Sequence, residues 1–432
     1  MKLRQISFKL VSLVMVLAIL FSVSATTISA AAQSIEHNHT EENTDEKIYV
    51  SLGDSMTNGY GLPGYDGSSG VEDYGNGSYA NIFAEYLNAD KHYQLAMSAM
   101  RSEDLHWLLE FDYTNPDHAA LVDRQPKDDG YTWETKTTWW TEVMSAEWNA
   151  TFTTGDYWTW LEICNHGGTR DECTVDAILA TGYTAFPECY DPANKYVNKA
   201  ALIAKYYQDA VEAADVISLG MGNGNFGVFA FGRLLNAIGF DGTPADSLVY
   251  NVEDAIRECS PEMQAKILEL KAEIEKRAND YLADSDMAQE TIDALVNSLV
   301  YTAVSYVLNY AGSVEAILQL NPDAEIVLVG LMNTFTSDVE SDDATIGDLL
   351  GLVFEPLNVY IAGLPAYMQV KQNSVYADAK FYYAEAEYVQ CLVDVYGILP
   401  VLHQLRKDLR RTQQTGIAVH RCQRQDRRIL LR

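Results

Sequence analysis

Positive charge is scarce in this chain. It carries 30 Lys and Arg against 61 Asp and Glu, for a formal net charge of −31. A surface that acidic repels a phosphate backbone, which excludes nucleic acid as a partner. Cysteine is sparse as well, with 6 residues in 432. That usage fits an oxidising compartment but not a dense disulfide framework. Cys164, Cys173 and Cys189 lie close together, and their spacing permits a local bridge such as Cys164 to Cys173 without fixing any connectivity. No C-x-x-C or clustered Cys/His spacing occurs, which removes a zinc site, so His166 beside Cys164 is incidental. Beyond the N-terminus no stretch reads as long and apolar enough to span a bilayer. Tryptophan is missing from most of the chain: all 7 lie between Trp107 and Trp160.

What is present begins with a leader. Lys2, Arg4 and Lys9 precede the apolar run Leu10 to Val23, and Ala30-Ala31-Ala32 offers a small-residue cleavage site. Residues 1–32 therefore read as a signal peptide and the protein as secreted, with no stable membrane insertion after cleavage. Residues 33–46 are polar and acidic and read as a disordered linker. The remaining length suits one large α/β domain or two smaller ones.

The stretch Lys47 to Tyr60 organises the rest. Ile48, Val50 and Leu52 alternate with Tyr49 and Ser51, the period-2 pattern of a half-buried strand. The strand stops at Gly53-Asp54-Ser55, a turn-forming trio. A serine just past the carboxyl end of a strand lies where open α/β sheets hold ligands. If a helix follows, its first amides can stabilise an anion there; the plainer reading is a strand-to-helix turn capped by Asp and Ser. Tyr79 to Leu87 has helical spacing. Residues 92 to 105 read as a strand, a turn of small residues and a helix with Ser102 as N-cap. Such a β-α-β-α order implies a parallel sheet. Asn194 to Ala214 is a predicted helix running into the buried strand Asp215 to Leu219, which ends in Gly220-Met221-Gly222-Asn223-Gly224-Asn225. Ser260-Pro261 opens a helix in the largely helical span from Val252 to about Ala311, an insertion or an outer layer of the sheet. Glu325 to Val329 is another buried strand, and Tyr376 to Ala379 a further strand end.

Residues 107 to 190 interrupt this rhythm. Trp107, Trp133, Trp139, Trp140, Trp148, Trp158 and Trp160 sit there among Tyr, Thr, Asp and Gly. The stretch reads as an insertion over the site, its indoles forming a mini-core in preference to a sugar- or acyl-binding surface.

Gly53-Asp54-Ser55 and the residues after it resemble the first block of the GDSL or SGNH hydrolases, serine esterases and lipases on a flavodoxin-like sheet. Met97-Ser98-Ala99-Met100 resembles their second block, and Gly220 to Asn225 their third. The resemblance implies a three-layer α/β/α sandwich over 47–404, with insertions at about 107–190 and 252–315. It implies a secreted carboxylic-ester hydrolase with Ser55 as nucleophile, an oxyanion hole from the amides of Ser55 and Ala99 and the Asn223 side chain (Asn225 being the alternate), and no metal or organic cofactor. The substrate is then an ester of a glycan, a lipid or a small alcohol. Asp54 shapes the turn.

The chain also departs from the family pattern. Ala99 stands where the family has glycine, and Gly-Asn-Gly-Asn replaces Gly-x-Asn. The final Asp-x-x-His block, which would supply the general base, is absent: His403 and His420 each lack an Asp three residues earlier. From Arg406 onward nine Arg or Lys face only Asp408 and Asp426, an atypical basic tail. Codons for Arg411-Thr412-Gln413-Gln414 encode His-Pro-Thr, under one choice, when read two bases later, so a shifted frame accounts for that tail. The rival reading is a non-catalytic extracellular glycan-binding protein on a hydrolase scaffold, or an inactive frameshifted hydrolase.

Overall fold

The computed structural model describes residues 46–60, 62, 77–97, 100–112, 174–193, 199–230, 233, 234, 237, 251–332, 346–371 and 378–384. The expected leader, linker and basic tail, Ala99, Trp133 through Trp160, His403, His420 and the cysteines other than Cys189 and Cys259 lie outside them.

In chain order the elements are β1 (Ile48–Gly53), α1 (Tyr79–Leu87), β2 (Lys91–Gln94), α2 (Ser102–Leu109), α3 (Thr174–Ala180), α4 (Lys199–Ala213) and β3 (Val216–Gly220). A π-helical turn (Gly224–Ala230) follows, then α5 (Val252–Ala255), α6 (Pro261–Leu282), α7 (Gln289–Leu320), β4 (Glu325–Val329), α8 (Ile346–Gly351), α9 (Phe354–Lys371) and β5 (Lys380–Ala384). The five strands form one parallel sheet in the order β2-β1-β3-β4-β5. That α/β arrangement is compatible with a flavodoxin-like sheet, and the order reverses between β1 and β3.

β1 differs from its expected half-buried state. It lies between β2 and β3, and Tyr49, Ser51 and Leu52 are all fully buried. A central parallel strand is covered on both faces. Its polar groups are therefore partnered inside: the Tyr49 and Ser218 hydroxyls share a 2.6 Å hydrogen bond, and Ser51 Oγ donates to Gln94 Oε1 at 2.6 Å. On one face Val50, Ile217 and Ile326 lie in register, as do Leu52, Leu219 and Leu328, and these join the large apolar core. On the other face Phe83 of α1 packs edge-on against Tyr49, centroids 5.4 Å apart.

α7 runs nine residues beyond the expected end at Ala311 and is part of the core. Tyr310 donates to Leu219 O at 3.1 Å and Tyr306 to Met221 O at 3.0 Å, which presses the helix onto the end of β3. Gln289–Leu320 and Gly347–Met368 are also long and apolar enough to cross a membrane, contrary to the sequence expectation. For α7 the apolar window is 61% buried within the protein, as expected of a core helix apolar on most sides.

Other boundaries moved for local reasons. Ser260 Oγ accepts from Met263 N at 3.3 Å, so the predicted cap of α6 is present. Arg101, not Ser102, caps α2: Arg101 N donates to Asp104 Oδ2 at 3.0 Å, the reciprocal half of a capping box. Trp107 belongs to α2, edge-on to Phe111 at 4.9 Å, so the aromatic stretch starts after that helix. The predicted strand end at Asp378-Ala379 instead precedes β5.

Candidate active site

Gly53 and Gly220 end β1 and β3 side by side. Neither tolerates a side chain. A Cβ on Gly53 would lie 2.0 Å from Thr57 Oγ1, and one on Gly220 would lie 2.2 Å from the Tyr79 hydroxyl. The space is taken because Thr57 Oγ1 donates to Gly220 O at 2.8 Å while sharing a 2.8 Å hydrogen bond with Tyr79. Thr57 thus fastens the turn after β1 to the end of β3.

That turn is not the start of a helix. Asn58 N reaches Asp54 O at 3.2 Å and Tyr60 N reaches Ser55 O at 2.8 Å, but residues 55–60 form consecutive turns and, among the described residues, the next helix begins at Tyr79. The expected helix N-terminus beside Ser55 is therefore absent from this segment. Asp54 takes over the organising role. Its carboxylate is fully buried, with Oδ1 accepting from Met56 N at 3.0 Å and Oδ2 from Gly222 N at 3.0 Å and Gly224 N at 3.1 Å. Burial pushes the Asp54 carboxyl up to about 6, against the opposing pull of the Met56, Gly224, Asn223 and Gly222 amides. Both of its oxygens accept from backbone amides. It shapes the turn, as its place in the sequence predicts, and bridges Ser55 to the loop that carries Asn223.

Ser55 is half-buried beside that anchor. Among the described residues nothing hydrogen-bonds its hydroxyl or accepts from its amide, so both are uncommitted. Asn223, on the facing loop, has a buried side-chain oxygen with no hydrogen-bond partner. The two candidate Asn residues separate clearly. Asn225 Oδ1 accepts from Ser102 N at 2.9 Å and its Nδ2 donates to Glu103 Oε2 at 2.8 Å. Its amide ties the β3 loop to the start of α2, and Asn223 is the one left for a ligand. The third predicted donor, Ala99, lies outside the described residues; Met97 just before it is bound to β1 through Met97 N and Gly53 O at 3.0 Å.

The start of α2 holds charges that the sequence reading passed over. Arg101 is 3% exposed and binds Asp104 through Nη2 at 2.8 Å and Nε at 2.9 Å. Burial works to raise the Glu103 carboxyl, but Arg101, Asn225 and Arg233 outweigh it and hold Glu103 below the usual carboxylate range. The Arg-x-x-Asp spacing at 101 and 104 was the available signal, since it is the spacing of a capping box.

A cavity of about 180 Å³ opens at the carboxyl ends of β1, β3 and β4. Met56, Tyr60, Tyr79, Met221, Asn223 and Met332 contribute to its walls. Ser55 is not in the wall, but its neighbours Met56 and Thr57 are.

Neither described histidine serves Ser55. His92 Nε2 lies 2.9 Å from Ser51 Oγ and its ring stacks on Tyr49, while His106 bridges Asn309 at 2.9 Å and Glu110 at 3.2 Å. No cluster of His, Cys, Asp or Glu able to hold a metal occurs among the described residues. Cys189 and Cys259 are thiols.

No protein-family model, curated protein or solved structure matches this chain.

Proposed function

We propose that the protein is an exported carboxylic-ester hydrolase of the SGNH type, with Ser55 as nucleophile and Asn223 as oxyanion donor. The observation that carries this reading is the Asp54 carboxylate. By gripping Met56, Gly222 and Gly224 at once, it holds the Ser55 turn and the Asn223 loop in one geometry at the β1/β3 junction. Parallel sheets bind ligands at that point of strand reversal. The strand order supports the same three-layer plan.

In this mechanism Ser55 Oγ attacks the ester carbonyl and passes its proton to a base. The carbonyl oxygen gains charge and is met by the Ser55 amide and the Asn223 side chain, donors worth about 3 kcal/mol each. The tetrahedral species collapses, the alcohol leaves with a proton, and water then releases the acid and restores the serine. Among the described residues neither His92 nor His106 is placed to be that base. β5 ends at Ala384, whose carbonyl accepts from Gly330 N at 2.8 Å, and Gly330 lines the cavity. Asp54 is a positioning residue throughout.

A short-chain aryl ester assayed on the whole chain and on Ser55→Ala tests the reading. Loss of at least a hundredfold in the variant is expected. Equal rates would remove Ser55 from the chemistry and favour a non-catalytic, glycan-binding scaffold.

A further inference from the structure

The cavity beside Ser55 has a size and a chemistry that bear on the substrate. Building on the hydrolase reading, we infer that it is an acyl pocket with a fixed limit of about six carbons, so that the substrates are esters of short apolar acids.

Asn223 stands in the cavity wall; its unpartnered buried oxygen is an acceptor, so the donor it offers a carbonyl is its Nδ2. A carbonyl held at that amide therefore has its remaining atoms in or next to the cavity. The other walls are mostly apolar, with Met56, Tyr60, Met221, Val329 and Met332 on them beside Thr57, Ser78 and Tyr79. Of the two parts of an ester, the acyl part stays on the enzyme while the alcohol departs and water enters. An apolar recess suits the part that stays.

The limit follows from volume. A 150 Å³ apolar cavity accepts benzene, and a methylene takes about the 30 Å³ that a water occupies in the liquid. A cavity of about 180 Å³ thus holds about six such groups. Chain length is discriminated only if the walls do not yield, and here three features keep them in place. Along one wall, the Thr57 and Tyr79 hydroxyls are bonded to each other, and Thr57 is bonded to Gly220 O as well. On the β4 side, Asn358 of α9 clamps Leu331 through both its N (2.6 Å) and its O (3.0 Å). Between the two loops there is no slack: a Cβ on Gly222 would lie 2.1 Å from Leu331 Cδ2.

The test is a series of p-nitrophenyl esters from acetyl to dodecanoyl, cleaved by the full chain. We expect kcat/KM to rise about fourfold per methylene up to about six carbons, the gain from burying each one, and to fall at least tenfold by decanoyl. Met332→Ala removes about three atoms from the wall and moves the optimum to longer chains, while Met332→Trp moves it to shorter ones. A best rate with decanoyl or longer esters, or an optimum that neither variant shifts, overturns the pocket and leaves Ser55 catalysis standing. Cleavage of no ester at all, with no reaction of Ser55 toward a fluorophosphonate, overturns both.

Discussion

Replacing Asp54 by Asn tests the anchor of the site, and its outcome depends on pH in a way the geometry fixes. The Asp54 carboxyl is raised from 3.8 to about 6 by burial, against four amides that favour its charge. The folded state therefore holds this proton more tightly than the unfolded chain does. The stability that follows is complete below pH 3.8 and is lost as pH climbs through about 6. A shift of that size corresponds to about 3 kcal/mol. Asn keeps the shape and one acceptor oxygen. If that oxygen stays with Gly222 and Gly224, the Met56 N–H faces an amide nitrogen, at a cost of about 1–3 kcal/mol. Near pH 4 the variant should thus be less stable than wild type by about that amount. Near pH 7 the two should converge, because the variant is spared the buried charge. Urea denaturation of both proteins at about pH 4, 5, 6 and 7 reads this directly. If wild type and Asp54→Asn show the same slope of stability with pH, then Asp54 is not the titrating anchor and the reasoning fails. The ester-cleavage rate carries a second signature: ionised Asp54 holds the two loops, so the acid limb of the wild-type profile should lie near pH 6.

The remaining predictions concern two glycines and Asn225. Gly222→Ala combines a φ of 130° with a Cβ placed 2.1 Å from Leu331 Cδ2, so it should cost at least about 2 kcal/mol in urea denaturation. Gly182→Ala, at a φ of 80° but with nothing near its Cβ, should cost only about 1 kcal/mol, the backbone part alone. Asn225→Ala leaves the Ser102 amide and the Glu103 carboxylate short of a partner, and should cost about 1–3 kcal/mol. In ester kinetics that variant should lower kcat more than it raises KM, since it loosens the oxyanion side of the site and leaves the acyl walls intact. Equal changes in both would place Asn225 outside the catalytic geometry.

Much of the sheet was legible because local pattern and tertiary role agreed. The alternation of Ile48, Val50 and Leu52 marked β1, and the β-α-β-α order implied parallel strands. Ser260-Pro261 announced α6 because a cap and a first-turn proline act within one turn of each other. What the sequence did not disclose depends on distant partners. Ser102 is an ordinary N-cap residue by local rule, yet its amide is taken by Asn225, 123 positions away, and the cap falls to Arg101. The polar alternation of Tyr49 and Ser51 read as the exposed side of a half-buried strand. Both are buried because Ser218 and Gln94, on neighbouring strands, satisfy them. In the Gly/Asn run, Asn223 was the choice and Asn225 the alternate. Only the position of α2 distinguishes them. For Asp54 the reading went further: a turn-shaping role was visible, but not that its carboxylate reaches the loop 168 residues on.

The central claim is that Ser55 is an activated nucleophile facing the Asn223 loop. Exposing the full chain to a fluorophosphonate and mapping the modified residue by mass spectrometry tests it without knowledge of the substrate. The account predicts phosphonylation of Ser55 alone, slowed at least tenfold in Asn223→Ala and absent in Ser55→Ala. An unmodified Ser55, under conditions where the folded protein retains its cooperative unfolding transition, would contradict it.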